Sequence, residues 1–222
     1  MDTSLLQKIA IWAIPVIFAI TIHEAAHGWI ANKLGDKTAL ILGRITLNPI
    51  KHIDLMGTII VPVICLSVGN FIFGWAKPVP VNYRNLHKPR RDMALVALGG
   101  PISNFIMALF WGAIIKVGFI LIANNTVENN FLVLMGQAGV LINLVLGILN
   151  LLPIPPLDGS RVVSSVLPAK ISFMYNKIEN LGFILLIVLM FSGILGKILG
   201  PFINFGFQII IKLYDLHSTG AV

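Results

Sequence analysis

The chain has 222 residues, of which 57% are hydrophobic and 11% charged, with a mean hydropathy of +0.90 and a formal charge of +7. A soluble domain carries roughly a quarter charged residues, so the composition excludes one and indicates a polytopic membrane protein with no large soluble attachment. The positive balance does not indicate nucleic acid: no basic stripe is interleaved with aromatics, and Lys and Arg gather between apolar runs, as in loops that face the cytoplasm and anionic lipid.

The first segment runs from about Leu5 to Leu34 and is apolar from Ile9 to Ile22 apart from Thr21, with Pro15 as a candidate kink. No cleavable signal is expected, because its removal would destroy the pattern that follows. That pattern is His23-Glu24-Ala25-Ala26-His27, or H-E-x-x-H. Four residues are just over one helical turn, so His23 and His27 stand on one face. Two imidazoles so placed can hold a zinc ion, and Glu24 beside them can act as base on its water. A chance match is the competing explanation, but two His and a Glu are costly in a membrane-length apolar segment unless they serve a function.

Residues 39–47 are short, β-branched and broken by Gly43-Arg44, which suits either a small β-hairpin or a connecting loop. As a hairpin, its edge could bind an unwound chain by strand addition. Next come His52 and Asp54, candidates for a third ligand or for partners that fix the tautomer of a ligating imidazole; otherwise they belong to a polar surface turn. Thr58 to Phe73 is apolar and carries basic residues on both flanks. One crossing cannot leave both flanks in the cytoplasm, so a re-entrant or bent segment is favoured. Cys65, the single cysteine, lies inside it and is read as a small buried hydrophobe.

A proline-rigid surface loop over residues 74–82 leads to a third segment from near Asp92 to Ile122. This segment contains Gly99-Gly100-Pro101-Ile102-Ser103-Asn104, whose small residues permit close helix approach. Asn104 is a costly amide at this depth, either packing glue or a group that orients substrate or stabilises an oxyanion. Residues 123–130 are polar without Lys or Arg and are expected outside. Segment four, Phe131 to Leu152, returns to Pro153-Ile154-Pro155-Pro156-Leu157-Asp158-Gly159, where the prolines fix a turn that presents one carboxylate. A catalytic zinc with two His needs a third protein ligand. Asp158 is the best candidate, since this return brings it to the side of His27; a helix N-cap is its other reading. Leu181 to Gly196 and Pro201 to Leu213 form one or two further helices, with a turn expected at Lys197–Pro201, and His217 falls in a polar tail.

Three blocks in order, His23 to His27, Gly100 to Asn104, and Asn150-Leu151-Leu152-Pro153 to Asp158-Gly159, resemble the site-2 protease family of intramembrane zinc metalloproteases. Its short form is also similar at Asn48-Pro49 to Asp54 and at Gly74 to Pro80. The resemblance covers roughly residues 10 to 165 and leaves no room for a PDZ or CBS domain. It implies an all-α polytopic membrane protein of five to six hydrophobic segments around a three-helix zinc core. A single membrane-embedded domain is expected over residues 1–222, with the core at 5–165 and C-terminal hydrophobic helices at 178–216. The resemblance also implies His23, His27 and Asp158 as ligands of one Zn2+, Glu24 as acid/base, and Asn104 and Asn150 as polar groups near the site. Substrates would be transmembrane proteins or peptides in the lipid bilayer, with no nucleic acid partner, and the site would open toward the cytoplasmic side of the cell membrane. A metal-handling or transport protein, or a non-cleaving scaffold that binds transmembrane helices, are the alternatives; the bare first half of segment one and the intact His-Glu-His set argue against them.

Overall fold

A computed structural model describes residues 5–60, 76–126 and 130–216. The expected crossing or re-entry of Thr58 to Phe73 lies mostly outside these residues, and Cys65, Trp75 and His217 lie wholly outside them.

Among the described residues the chain is helical and contains no strand. The helices are α1 (Leu5–Lys33), α2 (Thr38–Ile41), α3 (Pro89–Ala123), α4 (Phe131–Asn150), α5 (Asp158–Val166), α6 (Ala169–Lys177), α7 (Glu179–Phe191) and α8 (Ile194–Leu213). Four of them, Ile11–Lys33 within α1 together with α3, α4 and α8, are long and apolar enough to cross a membrane; α6 and α7, bent by 55° at their junction, make a fifth if counted as one span. Many large apolar side chains point outward, among them Trp12, Phe18, Ile106 and Phe110. Such a surface is the one that lipid solvates, and helix association then rests on close packing rather than on apolar burial from water.

Helices α3 and α4 pack most extensively on each other, α1 lies against both, and α5 closes one end against α3. The largest buried cluster, around Trp111, Ile115, Val140 and Leu144, joins α3 and α4 to Ile210 and Ile211 of α8. A second, smaller cluster (Ala31, Leu86, Val96) fastens the C-terminal end of α1 to the start of α3.

Two expectations are corrected. The hairpin at 39–47 does not form. Asp36 Oδ1 accepts from both the backbone N–H (3.0 Å) and the hydroxyl (2.5 Å) of Thr38, which starts the single helical turn of α2. This local side-chain bonding outweighs the β-branched composition. The break between the last two helices falls at Ser192-Gly193 rather than at Lys197–Pro201. Gly193 has φ +72°, a left-handed end that only glycine adopts freely, whereas Pro201 sits inside α8.

Candidate metal centre

The H-E-x-x-H turn lies deep in the fold, with His23 and His27 both buried. Their rings meet edge to face, with centroids 4.7 Å apart. Each Nδ1 is committed to an acceptor: that of His27 donates to the Val96 carbonyl at 2.7 Å, and that of His23 to Asn104 Oδ1 at 2.6 Å. A carbonyl can only accept, so the His27 proton is fixed on Nδ1. For His23 the same conclusion follows through two amides. Asn143 Nδ2 donates to the Gly139 carbonyl at 2.9 Å, Asn104 Nδ2 donates to Asn143 Oδ1 at 2.9 Å and to the Ala19 carbonyl at 3.3 Å, and Asn104 Oδ1 therefore faces the imidazole.

With both Nδ1 atoms donating, each ring in its neutral form turns a bare Nε2 lone pair inward. Those two atoms lie 3.1 Å apart, and Asp158 Oδ2 lies 3.2 Å from His23 Nε2 and 3.3 Å from His27 Nε2. Asp158 Oδ2 is buried with no hydrogen-bond donor among the described residues. Three donor atoms converging this closely repel one another unless a cation, a proton or a metal ion, sits among them. Their separations match donors about 2.0 Å from a tetrahedral centre, the zinc geometry for imidazole and carboxylate. Two His and one carboxylate, with a position left open, form a catalytic rather than a structural donor set. They are the only such group among the described residues.

The turn before α5 explains how Asp158 arrives there. Leu157 is extended (φ −64°, ψ 155°) and caps the helix, its carbonyl accepting from Ser160 N and Oγ, so Asp158 stands in the first turn and is not the N-cap. Gly100 lets α3 approach: a Cβ there would lie 2.5 Å from Nε2 of both His23 and His27. Glu24, next to His23, faces a cavity of about 550 Å³ lined also by His23, His27, Asn150, Asp158 and Arg161. Its Oε2 accepts the Val79 backbone N–H at 2.7 Å.

The sequence-expected residues divide. His23, Glu24, His27 and Asp158 come together, and Asn150 joins them on the cavity wall, its Nδ2 donating to the Leu146 carbonyl at 3.0 Å. Asn104 is fully buried with its amide spent on His23, Asn143 and Ala19, so it orients a ring and has nothing left for substrate or an oxyanion. His52 and Asp54 stand elsewhere. His52 Nε2 donates to the Thr46 carbonyl at 2.9 Å, and Asp54 Oδ1 accepts the Gly57 N–H at 2.7 Å, a local helix start. The ring-fixing partners expected of that pair are Asn104 and the Val96 carbonyl. Asn143 was missed, although as a buried amide in an apolar helix it carries the same signal of cost as Asn104. The Val96 carbonyl and the Val79 N–H are backbone groups, for which side-chain chemistry leaves no mark in a sequence.

The model of peptidase family M50 matches residues 112–193, a stretch that holds Asp158 but not the H-E-x-x-H turn. A Bacillus subtilis protein named "Putative zinc metalloprotease YwhC" is 40% identical over 207 residues, covering 91% of this chain and 90% of the relative. "Putative zinc metalloprotease Rip2" of Mycolicibacterium smegmatis is 25% identical over 198 residues, covering 82% of this chain and 66% of that one. A zinc metalloprotease of Methanocaldococcus jannaschii is 24% identical over 200 residues, covering 86% and 46%. No solved structure gives a significant match. A relative this similar over nearly its whole length, together with a donor set suited to catalytic zinc, assigns the chain to peptidase family M50, the site-2 protease family, as a zinc metalloprotease with membrane-length helices.

Proposed function

We propose that this chain is one membrane-embedded domain that hydrolyses peptide bonds of membrane-embedded polypeptides, with His23, His27 and Asp158 holding one zinc ion and Glu24 as acid/base. The observation that carries the reading is the convergence of three metal-ligating donor types, two imidazole nitrogens and a carboxylate oxygen, at 3.1–3.3 Å beside a carboxylate that faces the same cavity.

Zinc in this set supplies Lewis-acid chemistry, bringing the pKa of water toward neutrality and polarising a carbonyl. Glu24 then accepts the proton of the attacking water and returns it to the leaving amine as the C–N bond breaks. With one carboxylate oxygen engaged by the Val79 N–H, the other is free for that exchange. Asn150, on the cavity wall, would hold the substrate backbone in this reading. The substrate helix must unwind first, because its amides are shielded by their own hydrogen bonds. The site lies toward the cytoplasmic side in this reading. The loops at the His27 end carry Lys33, Lys37, Arg44, Lys51, Lys77, Arg84 and Lys88, whereas residues 123–130 at the opposite end of α3 carry neither Lys nor Arg.

The test pairs metal content with cleavage. Wild type should carry about one zinc per chain, and Glu24→Gln should keep it while losing cleavage of a transmembrane reporter in membranes. Cleavage by Glu24→Gln at the wild-type rate would overturn the mechanism.

A further inference from the structure

We propose that Arg44 is a positioning residue for Glu24, acting through the backbone of Lys77, Pro78 and Val79. This deepens the preceding reading and rests on Glu24 being the acid/base.

The strap Ala76–Asn82 passes over the site, and its hydrogen bonds account for how it is held. Pro78 and Pro80 have no N–H. The Lys77 N–H donates to the His52 carbonyl at 2.9 Å, the Val79 N–H to Glu24 Oε2 at 2.7 Å, and the Asn82 N–H to Asp36 Oδ2 at 2.6 Å. Arg44 Nη2 reaches both the Lys77 carbonyl (2.9 Å) and the Pro78 carbonyl (3.3 Å), the two acceptors just before the Val79 N–H. Among the described residues Arg44 makes no ion pair and its Nε has no partner, so its bonding is spent on the strap. The Val79 side chain is buried, and a Cβ at Gly28, one turn beyond Glu24, would lie 3.0 Å from its Cγ1. The strap is therefore seated on α1 by packing and tied by Arg44, and its one N–H at this level points at Glu24.

A glutamate on a helix has three side-chain torsions to order, and a general base acts only from a narrow range of positions. Fixing one carboxylate oxygen on a rigid N–H leaves the other aimed at the metal cavity. His52, a candidate from the sequence for a ligand or a ring-fixing partner, has its place here: its ring bond to Thr46 and its carbonyl's bond to Lys77 anchor the near end of the strap.

The test reads the position of Glu24 without a peptide substrate. A hydroxamic acid that chelates the metal hands its proton to the neighbouring carboxylate, so its affinity reports where that carboxylate stands. 1,10-Phenanthroline responds to the metal ligands alone. Cobalt-substituted full-length protein in detergent is titrated with acetohydroxamic acid, followed by visible absorption, and separately with phenanthroline. Glu24→Gln should weaken acetohydroxamate at least tenfold. Arg44→Ala and Val79→Pro should each weaken it by about tenfold, the lower range for outer partners of a metal site, with cobalt content and phenanthroline sensitivity at wild-type values. Val79 already precedes Pro80, which biases it to extended backbone, so proline there fits the strap while removing the N–H, and Val79→Ala serves as the control for the side-chain packing lost with it. Val79→Ala keeps the N–H and loses only side-chain packing, so it should weaken acetohydroxamate less than Val79→Pro does, and Arg44→Lys should recover part of the loss. Wild-type acetohydroxamate affinity in both Arg44→Ala and Val79→Pro, with Glu24→Gln impaired, would overturn the role of Arg44 alone. Equal affinity in Glu24→Gln and wild type would overturn the acid/base reading, and the role of Arg44 with it.

Discussion

Asn104 shows what a single buried amide does here. It joins the Gly139 carbonyl, through Asn143, to the Nδ1 proton of His23, and so fixes which nitrogen of that ring is bare. Outer partners of ligating imidazoles are worth 10–100-fold in metal affinity. Asn104→Leu, which also strands the Asn143 carbonyl oxygen, should weaken zinc binding by roughly that range, read by competition with a chelator of known affinity. Undiminished affinity would mean that the ring is oriented by packing alone. The cost of Asn104 at membrane depth was legible in the sequence, but its task was not. A sequence shows that an amide is expensive to bury; only the fold shows that its oxygen meets a histidine 81 positions away.

Elements were legible where one property dominates. Apolar length marked α1, α3 and α4 to within a few residues, and the small residues at 99–100 marked the close crossing of α3 on α1. That crossing is tight enough for Gly100→Ala to test it. The added methyl meets Nε2 of both His23 and His27 at 2.5 Å, so the rings must turn or the helices part. Zinc content should fall severalfold or more, of the order expected for a disturbed metal site, while helix content by circular dichroism stays unchanged, since alanine favours helix.

At 39–47 the β-branched composition misled, because Asp36 decides the local structure. Asp36 is fully buried and gathers donors from Thr38, Asn82 and Asn85, tying the end of α1 to the segment before α3. Burial pushes its carboxyl up, but the hydrogen bonds from Thr38, Asn85 and Asn82 outweigh this and hold it below the ordinary carboxylate value. The unfolded chain therefore takes up the proton first as pH falls. The stability Asp36 supplies is complete above the unfolded value of about 4 and is lost below it. Asp36→Asn should lower stability by about 1–3 kcal/mol at pH 7 and flatten its decline between pH 5 and 3. Parallel thermal unfolding curves of the two proteins across that range would refute the assignment.

At the scale of the molecule, composition announced the membrane and the three motifs announced the site, but no motif says which helices touch. The proposed metal joins His23 and His27 on the first helix to Asp158 beyond the fourth, closing a loop of more than half the chain. An ion that binds only the folded chain stabilises it by mass action, about 4 kcal/mol at a thousandfold excess over its dissociation constant. In a chain of this size each kcal/mol moves the melting temperature by about 2–4 °C, so stripping zinc with EDTA should lower Tm by roughly 10 °C. Because the stabilisation depends on all three donors, Asp158→Ala should melt near the stripped wild type and show little further change with EDTA. Asn150→Ala, which removes a cavity-wall group and no proposed ligand, should retain the full EDTA response. An EDTA shift of equal size in Asp158→Ala would place the stabilising metal elsewhere and detach Asp158 from it; no shift in zinc-loaded wild type would mean that the two halves of the site are held by packing alone.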